Sequence, residues 1–494
     1  MLRSKSIVLL ALAASCATAT RASGPGSIVP TTGQRSLRRA IDAVAESPEF
    51  RNGHWGILAV TVGGDTLYSR NAGKLFMPAS NQKILTSAVA LAQLGPEYRY
   101  RTSFVAHGPI ADGVLQGDLG IVGRGDPSVS DHMMTDAMAP LRAIADSVAA
   151  RGIKRVRGKV VAEGNAFPDA VLGFGWSWDD LEDDYSAATD ELLFNEGFTN
   201  IVVRAGARPG DSLTIETRPT RRWPRVRTAA STVAPVPRGA DSTVLRPSLA
   251  VRKDTLTGDV LVTGTIAALD SATLVVTHRD PGAAFVAAFR EALADRGISV
   301  GDEAVPPVAN DTIATLVSPP LRDILPPFMK PSQNQIGEML FKTLGLERGR
   351  TGTAAAGRRV VEEQLKTWGA SEMGFVVRDG SGLSRYDYVS PETIIRVLDA
   401  MRRDTAFMVF YNSLPIAGVD GTIRSRMRGT PAANNLRAKT GSVAQARSLS
   451  GYVRTLDGDT LMFSILANNW NVPAAVVTRA ADSISARLAS YRRR

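Results

Sequence analysis

Residues 77–94 read MPASNQKILTSAVALAQL, and the fold and chemistry of the whole chain turn on them. Ala, Leu, Ile and Val fill positions 84–94, Pro78 stands just ahead and Gly95-Pro96 follows, which predicts a helix over 77–94. Ser80 and Lys83 are three residues apart, so one helical turn brings both side chains onto one face. A serine nucleophile needs such a base. A helix N-terminus also favours negative charge at a reacting centre and pushes a nearby lysine towards its neutral form. The pair alone is weak, because the ten Lys of this chain would give about one Ser-x-x-Lys by accident at ordinary serine frequency. The residue type says more. Arg supplies 48 of the 58 basic residues, yet Lys stands here, and only Lys can lose its proton in a protein.

Two further motifs lie far along the chain. Ser332-Gln333-Asn334 precedes an amphipathic helix expected over 335–346, and Lys439-Thr440-Gly441 falls in a strand expected over 435–442. Taken singly, the first also reads as a helix cap and the second as a strand end with a permissive glycine. An S-x-N occurs by chance about once or twice in such a chain and a K-T-G about 0.05 times, so three in this order and in these settings form a strong set. S-x-x-K, S-x-N and K-T-G are the motifs shared by penicillin-binding proteins and serine β-lactamases.

Other segments narrow the resemblance. Residues 78–86 (PASNQKILT), 175–180 (GWSWDD), 378–385 (RDGSGLSR), 414–422 (LPIAGVDGT) and 438–442 (AKTGS) resemble the D-alanyl-D-alanine carboxypeptidase/endopeptidase family of class C, low-molecular-mass penicillin-binding proteins. The resemblance runs from about residue 35 to 485 and includes the long insertion that sets Ser80 and Ser332 252 positions apart, where simpler relatives have a few dozen. It implies an α/β fold: a transpeptidase-like domain, an antiparallel sheet flanked by helices, split by nested β-rich inserts. It also implies roles. Ser80 attacks the penultimate D-Ala carbonyl of a peptidoglycan stem peptide and Lys83 takes its proton. Ser332 relays a proton to the leaving amine, and Asn334 holds the donor peptide. Lys439 and Thr440 meet the terminal carboxylate, and Gly441 permits close backbone approach. The N–H groups of Ser80 and Ser442 form an oxyanion hole. Ser442 departs from the more common Thr, but only its backbone is used. Asp180, Tyr185, Leu383 and Arg385 are implied to line a pocket for the amino-bearing end of the third residue, while Trp176 and Trp178 read equally as packing between domains. β-Lactams are the implied covalent inhibitors, and no metal or cofactor is needed. A serine β-lactamase of the same fold and a silent wall-binding scaffold are the alternatives. The inserts and the lack of an obvious deacylating Glu weigh against the first, and intact motifs weigh against the second.

Around these motifs, 37–45 reads as a helix and 55–62 with 65–69 as a hairpin turning at Gly63-Gly64. From 104 to 310 the texture shifts to short β-type runs (119–122, 159–163, 200–204, 212–216, 259–266) with helices at 138–151 and 282–297. The Arg- and Pro-heavy stretch 218–247 reads as least ordered. Helices return at 357–368 and 391–401, then strands at 449–455 and 460–468 and a closing helix from Val472. The expected division is a signal peptide (1–22), a catalytic domain in two parts (23–103, 312–494), one insert in two parts (104–200, 279–311) and another within it (201–278).

Residues 1–22 carry Arg3 and Lys5, an apolar run 7–14 too short to span a membrane, and Ala17-Thr18-Ala19 as a cleavage site. This predicts export to the periplasm or envelope. Cys16, the single cysteine, falls inside that segment, so it is removed with it or serves as a lipid-attachment site, although Ala13 stands where such signals usually have Leu or Val. Disulfides, thiol catalysis and cysteine metal sites are excluded from a cleaved chain. The net charge of +10 is scattered Arg, which argues against a nucleic-acid partner and suits an anionic envelope polymer or peripheral contact with a membrane surface. His54, His107, His132 and His278 have no metal spacing and stand apart from the motifs. Gly123-Arg124-Gly125-Asp126 reads as a turn, and 345–353 lacks the lysine of a phosphate loop.

Overall fold

From Trp55 onward every residue of the strand His54–Thr61 (β1) is buried, which requires cover on both faces of its sheet. The computed structural model, which describes residues 31–237, 246–254, 258–306 and 310–493, supplies it. Beside β1 lie Thr66–Arg70 (β2), Arg437–Val443 (β3), Ala446–Arg454 (β4) and Thr460–Asn468 (β5). All pair antiparallel in the order β2-β1-β5-β4-β3. The first and last parts of the chain therefore share one sheet, with His54 opposite Asn468 and Thr61 opposite Leu461.

Successive strand residues point to opposite faces, and the two faces carry separate cores. Ile57 of β1 packs with Leu37 and Ile41 of Thr32–Ala45 (α1) and Ile484 of Ala474–Ala489 (α5). Its neighbour Leu58 packs on the other side, with Gln82–Leu94 (α2), Asn334–Arg348 (α3) and Pro391–Arg403 (α4). Residues 82–91 of α2 are buried all round, so this helix is the axis of that core. α4 starts as its sequence requires: Ser390 Oγ accepts the Thr393 N–H at 3.1 Å and Pro391 takes the first position. Such a cap contributes about 1 kcal/mol.

The helix expected from Met77 begins five residues later. Ala79–Asn81 is one 3₁₀ turn, and Ala79 takes a left-handed φ of 47°. Tertiary contacts override helix propensity here: the Pro78 carbonyl accepts from Ser448 Oγ of β4 at 2.7 Å, and Asn81 Nδ2 donates to the Lys439 carbonyl of β3 at 2.8 Å. The segment is thereby drawn onto the sheet before α2 starts.

Between α2 and α3 the chain builds smaller units. Arg101–Ala106, Leu119–Val122, Val160–Glu163 and Asp311–Val317 form one sheet, whose core includes Phe285 and Phe289 of the helix Pro281–Asp295. A further core joins Phe198–Arg204 and its partners to Val260–Ala267 and its partners. The boundaries read at 103/104, 200/201 and 311/312 pass through strands Arg101–Ala106, Phe198–Arg204 and Asp311–Val317. The stretch 218–247 is more regular than its composition suggests. Val226–Thr228 and Ser231–Val233 pair parallel with Val260–Ala267, because a short strand needs only a partner and an occasional inward side chain such as buried Thr232. Residues 238–245 of that stretch, and the expected export segment with Cys16, lie outside the described residues. Among the described residues no helix is long and apolar enough to cross a membrane.

Candidate active site

The 3₁₀ turn sets Ser80 at the head of α2, and the first turn of that helix carries Lys83 beneath it. Lys83 Nζ lies 2.8 Å from Ser80 Oγ, 2.6 Å from Asn334 Oδ1 and 2.7 Å from the Ser381 carbonyl. The last two oxygens can only accept. Asn334 is held in that orientation because its Nδ2 donates to the Tyr185 carbonyl at 2.7 Å. An ammonium at this place fills all three contacts; a neutral amine keeps its two hydrogens on Asn334 and Ser381 and turns its lone pair to Ser80. Lys83 is fully buried, and loss of hydration brings its pKa down to about 7, against the pull of Asp379. Only the neutral form can accept a proton. The rate of acylation by penicillin should therefore rise about tenfold per pH unit on the acid side and level off above about pH 7, measured by stopped-flow or quenched labelling.

The second and third motifs meet at the same place. Lys439 Nζ of β3 donates to Ser332 Oγ at 2.8 Å and to the Thr440 carbonyl at 2.9 Å. Burial, then the neighbouring Lys83, hold the Lys439 pKa well below the usual lysine value. Ser332 sits in a left-handed turn, φ 72°, just ahead of α3, and Gln333 caps that helix by accepting from the Ile336 N–H. The cap reading of the S-x-N segment thus belongs to Gln333, which leaves Ser332 and Asn334 free for chemistry.

β3 is an edge strand. Ala438 N–H leaves the sheet for the Pro415 carbonyl, and the two-residue alternation of an antiparallel strand puts the Ser442 N–H on the same open edge. Two glycines let this edge and the 379–384 loop close on Ser80. A Cβ on Gly441 would lie 2.5 Å from the Pro78 carbonyl oxygen and 2.9 Å from Ser80 N. One on Gly382, whose φ is +82°, would lie 1.9 Å from the Ala79 carbonyl oxygen. Gly382→Ala should lower stability by about 1–3 kcal/mol, because a backbone atom must move and φ is unfavourable, as thermal unfolding would read. It should also slow penicillin labelling, since the displaced atom belongs to the residue before Ser80.

Ser80, Ser332, Asn334, Thr440 and Ser442 open on a cleft of about 590 Å³. Asp180, Tyr185, Leu383 and Arg385 line the same cleft. Tyr185 Oη donates to Asp180 Oδ1 at 2.8 Å, and an Arg385 nitrogen lies 3.6 Å from Asp180 Oδ2. Burial, with Asp183 and Asp180 beside it, raises the Tyr185 hydroxyl pKa. Trp176 and Trp178 part ways: Trp176 Nε1 donates to Asp379 at 3.0 Å, whereas Trp178 is 85% exposed and packs no domains together. Thr422 and Arg426 are among the lining residues that escaped the motif reading. Thr422 Oγ1 is 2.7 Å from Thr440 Oγ1, and Arg426 reaches the cleft while paired to Asp482 at 2.7 Å. Thr422 closes the quoted 414–422 segment; nothing in its spacing places it opposite β3.

The chain is similar over most of its length to known proteins. A family profile described as the D-Ala-D-Ala carboxypeptidase 3 (S13) family matches residues 37–491. A D-alanyl-D-alanine carboxypeptidase of an Actinomadura species is 36% identical over 476 residues, covering 92% of this chain and 85% of that protein. The D-alanyl-D-alanine carboxypeptidase DacB of Haemophilus influenzae is 26% identical, covering 87% and 88%. The crystal structure of penicillin binding protein 4 (dacB) from Haemophilus influenzae superposes with a TM-score of 0.76 at 24% identity, covering 91% of this chain and 99% of that one. With its matched span and its full set of motif side chains around one hydroxyl, the chain belongs to the D-Ala-D-Ala carboxypeptidase 3 (S13) family.

Proposed function

We propose that this protein is an exported serine-type D-Ala-D-Ala carboxypeptidase and endopeptidase that acts on peptidoglycan stem peptides through an acyl-enzyme on Ser80 and is inhibited by penicillin. Neutral Lys83 takes the Ser80 proton as Oγ attacks the penultimate D-Ala carbonyl. The N–H groups of Ser80 and Ser442 hold the oxyanion, each contributing about 3 kcal/mol to the transition state. The C–N bond breaks as a proton passes through Ser332 to the departing amine, and water then hydrolyses the ester. Lys439 and Thr440, with Thr422 beside them, receive the terminal carboxylate. Asp180, Tyr185, Leu383 and Arg385 receive the third residue's amino-bearing end, which makes the insert a recognition element as well as the support of Asn334.

One observation carries this reading: Ser80, Lys83, Asn334, Ser332 and Lys439, up to 359 positions apart in sequence (439 − 80), stand in two hydrogen-bonded sets at one cleft. Mass spectrometry of a D-Ala-D-Ala pentapeptide and a purified cross-linked muropeptide, each incubated with the protein, tests it. The expected products are the tetrapeptide with free D-Ala and the two separated stems, both suppressed by penicillin. Rapid turnover of penicillin with intact peptides would mean a β-lactamase, and inertness towards all three would mean a scaffold.

A further inference from the structure

Behind Lys83 lie three carboxyl groups that the steps above do not use. Asp379, Asp387 and Glu338 are 1%, 0% and 3% exposed, and among the described residues no Lys or Arg side chain bonds any of them. The nearest Arg, Arg378, gives Asp387 only its backbone N–H at 2.6 Å, while its guanidinium lies over the Phe174 ring. Three buried anions beside one ammonium would be untenable, so the cluster must hold protons.

Hydrogen bonding tells the three apart. Asp379 receives donors on both oxygens: Gly382 N–H at 2.7 Å on Oδ1, and Ser384 N–H at 2.7 Å, Trp176 Nε1 at 3.0 Å and Ser381 Oγ at 3.4 Å on Oδ2. That is an anion's environment. Asp387 Oδ1 accepts the Arg378 and Asp379 N–H groups, but its Oδ2 is buried with no hydrogen-bond partner, a place where a charged carboxylate costs more than a neutral carboxyl. Burial and then Asp379 raise the Asp387 pKa well above the carboxyl range, and the same two causes raise Glu338 to about 8. Glu338 accepts the Gly380 N–H on its two oxygens at 3.2 and 3.3 Å and the Ser381 N–H at 2.9 Å, on the residue whose carbonyl receives Lys83: two donors, against the four that Asp379 receives.

We propose that Asp379 is the resident counter-charge of Lys83, kept single by the protons stored on Asp387 and Glu338, and that through it the 379–384 loop sets the basicity of the lysine that activates Ser80. All three are positioning residues. Facing Lys83 besides them are Ser80, Asn334 and, as the other charge, Lys439. When Lys83 accepts the Ser80 proton it becomes an ammonium, and the Asp379 carboxylate stabilises that form.

The inference rests on Lys83 acting as base, and its test is the pH profile of acylation by a fluorescent penicillin. Asp379→Asn should move the acid limb down by about one pH unit, because removing an anion disfavours the ammonium, and should lower the plateau by about three- to tenfold as the base weakens. Asp387→Asn, which replaces a neutral carboxyl by a neutral amide, should leave the midpoint where it is. A loop merely disordered by substitution would lower the plateau without moving the limb. An unmoved limb in Asp379→Asn, or a lowered one in Asp387→Asn, overturns the proposal. Should Asp379→Asn fail to fold, Asp387→Asn decides alone: an unmoved midpoint supports the assignment and a lowered one overturns it. Wild-type protein that takes no label would instead overturn the functional reading itself.

Discussion

A Ser80→Ala protein is expected to take no covalent label from fluorescent penicillin and to release no D-Ala, while keeping the thermal stability of the parent to within about 1 kcal/mol. The cleft offers other hydroxyls, which gives the experiment its force. Ser332, Thr440 and Ser442 open on the same space as Ser80. Ser332 even has a buried lysine at 2.8 Å. Lys439, however, donates to Ser332 and spends a second hydrogen on the Thr440 carbonyl. The lysine at Ser80 has its other contacts fixed on two acceptors, and the proposed mechanism adds two N–H groups for the oxyanion there. Removing one oxygen at a partly exposed position costs little stability, so loss of label with retained folding isolates the chemistry. Equal labelling of the variant would move the nucleophile elsewhere and defeat the mechanism.

What the sequence made legible was the set of short local patterns and their order. Ser80 and Lys83 meet because their three-residue spacing spans one turn, here the 3₁₀ turn running into α2, and the Ser390 cap of α4 follows from Ser-Pro-Glu. The edge position of Lys439-Thr440-Gly441 was not legible, because strand order is set by pairing across almost the whole chain, His54 with Asn468 among others. The late start of α2 escaped for a related reason: local propensity favours a helix through Ala79, and bonds from β3 and β4 pull it off that course. The roles of the 379–384 glycines and carboxylates needed three dimensions as well. A run such as DGSGLS announces a turn, but nothing in it says that Gly382 lies against Ala79 or that Trp176, 203 positions away, donates to Asp379. Composition gave no hint of the short strands Val226–Thr228 and Ser231–Val233, because Arg and Pro report exposure, and exposed edge strands are still strands.

Lys83→Arg should slow acylation by about 10²–10⁴-fold, the span general-base catalysis supplies, even though it preserves the positive charge. The two side chains differ in what burial does to them. Burial at this position brings the lysine to a pKa of about 7, where the neutral amine is plentiful at working pH; a guanidinium stays charged in the same surroundings. A guanidinium has no lone pair to turn towards Ser80 Oγ, so the contact that passes a proton in one direction becomes a donor to the nucleophile in the other. Its larger planar head must also fit among Ser80, Asn334 and Ser381, now 2.6–2.8 Å from one nitrogen. A parallel Lys83→Met protein separates these effects, because Met fills the space of the stem, carries no charge and accepts no proton. If proton acceptance is what Lys83 contributes, Arg and Met should be slowed alike and their residual labelling should lose the rise towards pH 7. If the lysine acts only through its charge, Arg should keep most of the wild-type rate and Met should not. The Asp379 assignment makes the same distinction from the opposite side, since a counter-anion matters to a group that gains and loses a proton and much less to one that is permanently charged.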